Sequence, residues 1–234
     1  MSDFRTNMDE WKAILLGETL LLGVLGKAIQ DAPNKEWMQS LIDEDIFSES
    51  PLESQDRDIE AGLLLLRAWS QENQKGISDE RFIDLQADYT RLFVGTGKAI
   101  VPSWESVYFN KEGMLFQEQT IQVRQWYRRF GLESEKLNRE PDDHVGLELS
   151  FLAYLAQLGL KALDKGNAAR FDQVLQGQRQ FISEHPLMWV PRWCALVEER
   201  AGTDFYRGLA LLTRGALSSI DEQLQIEIPK EVPL

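Results

Sequence analysis

The stretch from Glu140 to Leu163 constrains the fold most, because it predicts a helix that is apolar on more than one side. Pro141 disfavours helix before it, and Asp142 or Asp143 can cap a helix that begins there by accepting from its first N–H groups. Apolar side chains then recur at helical spacing in two adjacent stripes: Val145, Leu149, Leu152, Ala156, Leu160 and Leu163, and beside them Leu147, Phe151, Tyr154, Leu155 and Leu158. A helix this apolar is expected at the centre of a bundle.

Helical periodicity covers most of the remaining chain, and no segment shows convincing strand alternation. It predicts helices near residues 7–29, 35–42, 59–69, 78–95, 115–130, 167–182, 189–201 and 204–224. Ser78 and Asn167 are expected N-caps, and Gly95 and Gly131 are expected to follow helix ends.

The expected fold is therefore an all-α multi-helix bundle of roughly eight to ten helices, without significant β-sheet. We expect a single domain over residues 1–234. Within it, a helical half over about 1–131 is joined by a polar connector, 132–139, to a second helical half over about 140–234.

The net charge of −13 argues against non-specific binding to nucleic acid or to an anionic membrane, and no stable membrane insertion is expected. A basic partner is expected instead. The single cysteine, Cys194, excludes an internal disulfide and a thiolate metal cage, which fits a reducing compartment. Asp3, Asp9 and Glu10 stand where a secretory signal would be basic, and Glu18 interrupts the apolar run around it. We therefore expect neither signal peptide nor membrane span, and a cytoplasmic location.

A phosphate-binding loop is suggested by the segment Gly95-Thr96-Gly97-Lys98-Ala99, but the motif is incomplete. It needs a glycine where Leu92 stands and a serine or threonine where Ala99 stands, and Pro102 blocks an immediately following helix. Nucleotide binding by this loop is not expected.

Metal and nucleophile chemistry also lack a full set of residues. A metal centre would use His144 with Asp142, Asp143 or Glu148, since a helix brings positions four apart onto one face. No second cluster completes such a site, and no Gly-x-Ser-x-Gly turn is present. A His144 that packs and caps is the simpler interpretation, and the sequence demands neither catalysis nor a cofactor.

Peptide binding accounts for these residues more simply. Carboxylates at a partly desolvated helix start can bind Arg guanidinium groups, and an acidic protein steers a basic peptide toward them. The long connection after Gly95 resembles loops that carry function. Candidate contacts for an apolar part of the peptide are Tyr89, Leu92, Phe93, Pro102 and Trp104. Helical spacing alone predicts burial of the first three, whereas Trp104 lies in a polar loop.

Three short motifs follow one another along the chain. They are Tyr89-x-x-Leu92-Phe93-x-Gly95, then Pro102-x-Trp104-x-Ser106-x-Tyr108, then Glu140-Pro141-x-Asp143-His144-x-Gly146. Their order and spacing, on an all-helical background, resemble the TorD/DmsD family of cytoplasmic chaperones, with NarJ-type proteins as more distant relatives. The resemblance covers Tyr89 to Leu217.

The resemblance implies a chaperone that binds the twin-arginine signal peptide of a molybdopterin oxidoreductase of the dimethyl-sulfoxide-reductase type. Such a chaperone holds the apoenzyme until its cofactor is inserted and delays export, and itself needs no cofactor or metal. Carried over position by position, the implied leader-binding residues are Leu92, Phe93, Pro102, Trp104, Asp143 and His144, with Tyr89 beside them. Asp143 is expected to face the peptide and capture its basic segment. Ser103 stands where some members have a second proline, which implies a less rigid loop.

Two other functions stay open from the sequence. One is a weak GTP-binding or metal-dependent hydrolase, because related chaperones have been linked to guanine nucleotides. The other is a helical dimerisation module, in which the connector 132–139 permits domain exchange. A monomer and a domain-exchanged homodimer are both compatible with the sequence.

Overall fold

The structure, a computed structural model, describes residues 2–95, 99–132 and 140–227. Within these ranges it contains α1 (Ser2–Gln30), α2 (Lys35–Asp43), α3 (Arg57–Glu72), α4 (Asp79–Tyr89), a π-helical turn (Thr90–Val94), α5 (Glu105–Phe109), α6 (Glu118–Arg129), α7 (Val145–Asp164), α8 (Ala168–Glu184), α9 (Pro186–Arg200) and α10 (Asp204–Glu227). These segments contain no strand, and their one isolated antiparallel bridge joins Trp104 to His144. The predicted all-α class is confirmed.

The apolar helix predicted at the centre is α7. It packs mainly against α1 and α8, while α10 packs mainly against α3 and α9. Helices from the two sequence halves therefore pack against each other. The single-domain division stays a prediction, and residues 133–139 of the predicted connector lie outside the described residues.

Two pairs of glycines allow close helix crossings. A Cβ on Gly146, in the first turn of α7, would lie 2.7 Å from the carbonyl oxygen of Gly26 in α1. A Cβ on Gly62 of α3 would lie 2.8 Å from the carbonyl oxygen of Gly208 in α10. These distances leave no room for a methyl group, so the helix backbones can approach this closely only because glycine has no side chain.

Most predicted helix ends are found where the local chemistry places them. The side chain of Ser78 accepts from the backbone N–H of Arg81, and that of Asn167 accepts from Arg170. Gly95 and Gly131 adopt φ values of 71° and 85°, in the left-handed region that favours glycine. Both predicted caps and both predicted helix ends are confirmed.

Three helix assignments differ from the prediction. The helix from Ser78 does not run on to Gly95 as one α-helix, because residues 90–94 form a π-helical turn. The connection after Gly95 contains the short helix α5, and α6 begins at Glu118. Helix α9 begins at Pro186, since a proline in the first turn needs no backbone N–H partner.

One stretch of α1, Met8–Gln30, is long and apolar enough to cross a membrane, with a mean hydropathy of 1.5. Half of its most apolar 18-residue window is buried inside the bundle. Leu15, Leu22 and Leu25 are fully buried, as expected for a helix packed on α7. Burial in the core thus accounts for the apolar character of this helix.

Glu18 is a buried carboxyl group on α1. One of its oxygens accepts a hydrogen bond from Gln178 Nε2 of α8. The other carboxyl oxygen and Gln178 Oε1 have no partner. Burial raises the pKa of Glu18 to about 7, and the Gln178 hydrogen bond opposes that rise. Burial between α1 and α8 therefore favours the protonated form of Glu18.

Replacing Glu18 with glutamine should reduce the pH dependence of stability. The folded-state pKa of Glu18 lies above its ordinary value, so wild-type stability falls as the pH rises from 4.5 through about 7. The neutral variant should gain roughly 2 kcal/mol relative to wild type between pH 5 and pH 8. Urea unfolding at the two pH values measures this, with Glu60→Gln on the exposed face of α3 as control. Parallel pH profiles for wild type and Glu18→Gln would contradict the prediction.

Candidate functional site

The site is built where the loop before α5 meets the residues before α7. The backbone N–H of Glu105 donates to the carbonyl of Asp143, and that of Val145 donates to the carbonyl of Ser103, each over 2.9 Å. This two-bond bridge brings two of the predicted motifs together. It sets the ring of Trp104 5.4 Å from that of His144, edge to face at 75°.

The buried side chain of Asp143 stabilises this junction through two hydrogen bonds. Its Oδ2 accepts from the backbone N–H of Ser106, and its Oδ1 accepts from Thr120 Oγ1, each over 2.7 Å. Trp104 occupies the N-cap position of α5, but its side chain accepts no hydrogen bond from the helix. Asp143, from a distant segment, accepts from the first turn of α5 instead. Asp143 has 0% of its surface exposed, so the expectation that it faces a guest peptide is wrong in this structure.

His144 caps α7, which confirms the simpler interpretation of this residue, whereas the prediction that Asp142 or Asp143 caps this helix is wrong. Its Nδ1 accepts from the backbone N–H of Gly146 over 3.1 Å. Burial lowers the pKa of His144 to about 4, partly opposed by Glu140, so the imidazole is neutral at pH 7. The two aspartates do not cap because each side chain is used elsewhere.

Asp142 ties the start of α7 to α6. Its Oδ2 accepts from Arg124 Nε over 2.6 Å, and its backbone carbonyl accepts from Tyr127 Oη over 3.0 Å. Both Asp142 and Tyr127 are buried, and burial, followed by nearby carboxylates, raises the pKa of Tyr127. Together Asp142 and Asp143 join α5, α6 and α7 into one junction.

Tyr89, Leu92 and Phe93 lie in the core behind the loop, as their helical spacing indicated. Tyr89 Oη donates to the carbonyl of Gln30 over 2.9 Å, and the ring of Phe93 stacks on that of Trp193 at 5.7 Å. The carbonyl of Leu92 accepts from the backbone N–H of Val101, which anchors the loop to the π-helical turn.

Three predicted site residues remain partly exposed. Pro102, Trp104 and His144 are half-buried and lie on or beside the bridge. The carbonyl of Pro102 accepts from Tyr108 Oη over 2.8 Å, which links this end of the loop to α5. The structure thus divides the predicted set into a surface group of three and a supporting group behind it: Tyr89, Leu92, Phe93 and Asp143.

A buried polar cluster beneath the bridge was not predicted. His185 Nδ1 lies 2.9 Å from Glu105 Oε2, and Trp189 Nε1 donates to Glu148 Oε2 over 3.1 Å. Burial, then Glu105 and Asp143, raise the pKa of Glu148 well above its ordinary value. One sequence signal was available, since Glu148 interrupts an otherwise apolar helix and must find a partner when buried.

Neither alternative chemistry gains support from the geometry. No group of three or more His, Cys, Asp or Glu residues suited to a metal ion occurs in the part of the chain that is described. Residues 96–98 of the suspected phosphate loop lie outside that part.

Comparisons with known proteins point to one family. Residues 54–195 match the family described as "Nitrate reductase delta subunit". The chain is 32% identical over 140 residues to the "Tat proofreading chaperone DmsD" of Salmonella typhi, covering 60% of this chain and 62% of that protein. It is 31% identical over 140 residues to the "Chaperone protein TorD" of Vibrio cholerae serotype O1, covering 60% of each. It thus spans less than two thirds of the length of these relatives.

The matched segment contains α3 to α8 and most of α9, and with them the bridge, Asp143 and the buried cluster. The family match covers more than half of the chain, and the relatives named for DmsD and TorD align at about the same identity. The chain therefore belongs to the nitrate reductase delta subunit family, in its TorD/DmsD group.

Proposed function

We propose that this protein is a cytoplasmic, system-specific chaperone for a molybdopterin oxidoreductase of the dimethyl-sulfoxide-reductase type. It binds the twin-arginine signal peptide and the apo form of that enzyme, assists cofactor insertion and proofreads export. It acts by binding and not by catalysis. The observation that carries the proposal is the partly exposed Trp104–His144 pair, fixed by a backbone bridge in a chain whose relatives are named Tat proofreading chaperones.

The surface group, Pro102, Trp104 and His144, would contact the leader. The part of the Trp104 indole that stays accessible can bind guanidinium groups through cation–π contact and can also receive apolar side chains. His144 is neutral at pH 7, since burial lowers its pKa to about 4, and so it does not repel the two arginines. The site can accept both the basic and the apolar part of a leader.

The supporting group acts indirectly. Asp143 and Leu92 hold the loop through hydrogen bonds with Ser106, Thr120 and Val101. We assign Asp143 as a positioning residue for Trp104, and attribute long-range attraction of the leader to the net charge of −13. Leader binding should therefore weaken with rising salt even though Asp143 is buried.

Replacing Trp104 with alanine should weaken binding of a synthetic twin-arginine leader by about tenfold or more, because an aromatic anchor is lost from the centre of the site. Trp37→Ala is the matched control, since Trp37 is also half-buried but lies on α2. Fluorescence anisotropy with the labelled leader measures both. A leader with two lysines in place of the arginines should bind less well than the original.

The proposal fails if the wild-type protein binds no twin-arginine leader. It also fails if Trp104→Ala and Trp37→Ala bind the leader equally well. Circular dichroism melting of each variant separates a lost contact from a lost fold.

A further inference from the structure

A pocket of about 490 Å³ opens beside the bridge, between α5, the turn after it and α9. Its lining includes Pro102, Val107, Tyr108, Phe109, Lys111 and Arg192. The volume is in the range of pockets that bind small ligands or a few side chains. Most of the uncharged lining residues are apolar or aromatic and form what we call the apolar floor, and the two charged side chains in the lining are both basic.

Within the described part of the chain, these two basic groups have no carboxylate partner. Lys111 and Arg192 are exposed, and neither forms an ion pair with a described residue. The guanidinium carbon of Arg192 lies 5.6 Å from the ring centre of Tyr108 instead. Glu112 follows Lys111 in the chain but does not line the pocket. The chain has 38 acidic and 25 basic residues and is negative overall, so the positive charge of this pocket is opposite to the net charge of the protein.

An exposed apolar rim continues from the pocket along the turn after α5. Phe109, Met114 and Phe116 are 46%, 47% and 46% exposed. An exposed cluster of this kind on a folded protein marks a contact surface more often than a lone exposed side chain does. The rim supplies apolar contact area next to the two cations.

The rim is held in place by its own hydrogen bonds. Asn110 Nδ2 donates to the carbonyls of Ser106 and Met114 over 2.6 and 2.9 Å, and Asn110 Oδ1 accepts from the backbone N–H of Met114 over 2.8 Å. Phe116 has a φ of 59°, a left-handed conformation that is uncommon for a bulky side chain. The turn thus presents its apolar side chains in a fixed arrangement.

We propose that this surface docks an acidic, apolar segment of a partner polypeptide. A carboxylate of the segment pairs with Arg192 and Lys111, and a neighbouring apolar side chain packs on Tyr108 and Phe109. Guanidinium groups bind carboxylates in a bidentate manner, which orients the segment, and the apolar contacts beside the two exposed cations add affinity. The occupant is therefore opposite in charge to a twin-arginine leader.

Other occupants fit less well. A small inorganic anion would leave the apolar floor and rim uncovered. A two-fold contact centred on this pocket would place Arg192 and Lys111 near the same two residues of the second copy, and each copy carries a net charge of −13. A leader of the proposed function is basic and would be repelled by the two cations. The inference does not depend on leader binding at the Trp104–His144 pair.

The test uses a short fluorescein-labelled peptide that alternates glutamate with leucine and phenylalanine. Wild-type protein should bind it, with an affinity that falls as salt rises above about 0.1 M, because the repulsion from the net charge of −13 is then largely screened and the attraction to Lys111 and Arg192 dominates. The double variant Lys111→Glu/Arg192→Glu should bind about tenfold or more weakly. The double variant Arg57→Glu/Lys75→Glu makes the same charge change at two exposed residues away from the pocket and should stay within about twofold of wild type.

Two further measurements identify the occupant. Glutamine in place of glutamate in the peptide should weaken binding and flatten its salt dependence, and Phe109→Ser should weaken binding of the original peptide by about fivefold or more. Lys111→Glu/Arg192→Glu should still bind a twin-arginine leader at least as well as wild type, which separates this inference from the proposed function.

The proposal is overturned if wild-type protein does not bind the acidic peptide, or if the two double variants bind it equally. Displacement of the peptide by inorganic phosphate at matched ionic strength would show a simple anion site and would also overturn it. So would sedimentation showing a dimer of wild-type protein that Lys111→Glu/Arg192→Glu dissociates, because the occupant would then be a second copy.

Discussion

Replacing Asp143 with alanine should lower the midpoint of thermal unfolding by roughly 6–12 °C, which corresponds to about 3 kcal/mol for a chain of this size. Asp143 is fully buried, and both carboxylate oxygens accept hydrogen bonds, from Ser106 N–H and from Thr120 Oγ1. Alanine leaves both donors buried without an acceptor. Loss of the charge also relieves Glu148, but burial is the larger cause of the raised Glu148 pKa, so that relief offsets only part of the cost.

Controls separate this effect from the loss of any acidic side chain. Asp164 lies at the end of α7, pairs with Lys12 and has a side chain that is 66% exposed, so Asp164→Ala should change stability by no more than about 0.5 kcal/mol. Thr120→Val removes one of the two hydrogen bonds and should cost about 1 kcal/mol. Asp143→Ala melting at the same temperature as Asp164→Ala would contradict the role given to Asp143.

Leader binding by Asp143→Asn distinguishes two roles for this residue. Direct capture of arginine by Asp143, as the sequence suggested, predicts that the variant binds a leader with a flatter salt dependence. A positioning role predicts weaker binding with the salt dependence kept, together with faster hydrogen exchange at the N–H of Ser106. The burial of Asp143 favours the second outcome.

The sequence predicted what depends on local pattern. Apolar spacing gives the central helix α7, and the caps at Ser78 and Asn167 follow from side chains that bond within their own first turn. Local pattern does not determine which residue caps α7. Asp142, Asp143 and His144 can each cap, and the choice depends on Arg124, Ser106 and Thr120, which come from other segments.

The buried cluster was harder to predict for a related reason. Glu105, Glu148 and His185 come from three separate segments, and helical periodicity carries no information on which of them meet. The sequence did bring the Trp104 and His144 motifs into one hypothesis, and the structure places those two residues side by side. That they bind a peptide stays a prediction until the leader is measured.

Gly146→Ala should destabilise the protein by about 3 kcal/mol, although alanine is the better helix former. The added methyl group would lie 2.7 Å from the carbonyl oxygen of Gly26 and 2.7 Å from Cβ of Gln30. The first of these is a backbone atom of a helix and cannot move alone, so α1 and α7 must separate where they cross.

The matched control is Gly23→Ala on α1, where a Cβ would meet nothing within 4 Å. That change should stabilise the protein by about 0.5–1 kcal/mol, because it only removes the entropic cost of glycine in a helix. In urea unfolding, the midpoints of the two variants should therefore shift in opposite directions. Shifts of the same sign would contradict a close crossing of α1 and α7 at Gly146.

Gly146 also donates its N–H to His144 Nδ1, so moving the start of α7 should disturb the Trp104–His144 pair as well. Gly146→Ala should accordingly weaken leader binding at temperatures where the variant is still folded, while Gly23→Ala should leave it unchanged.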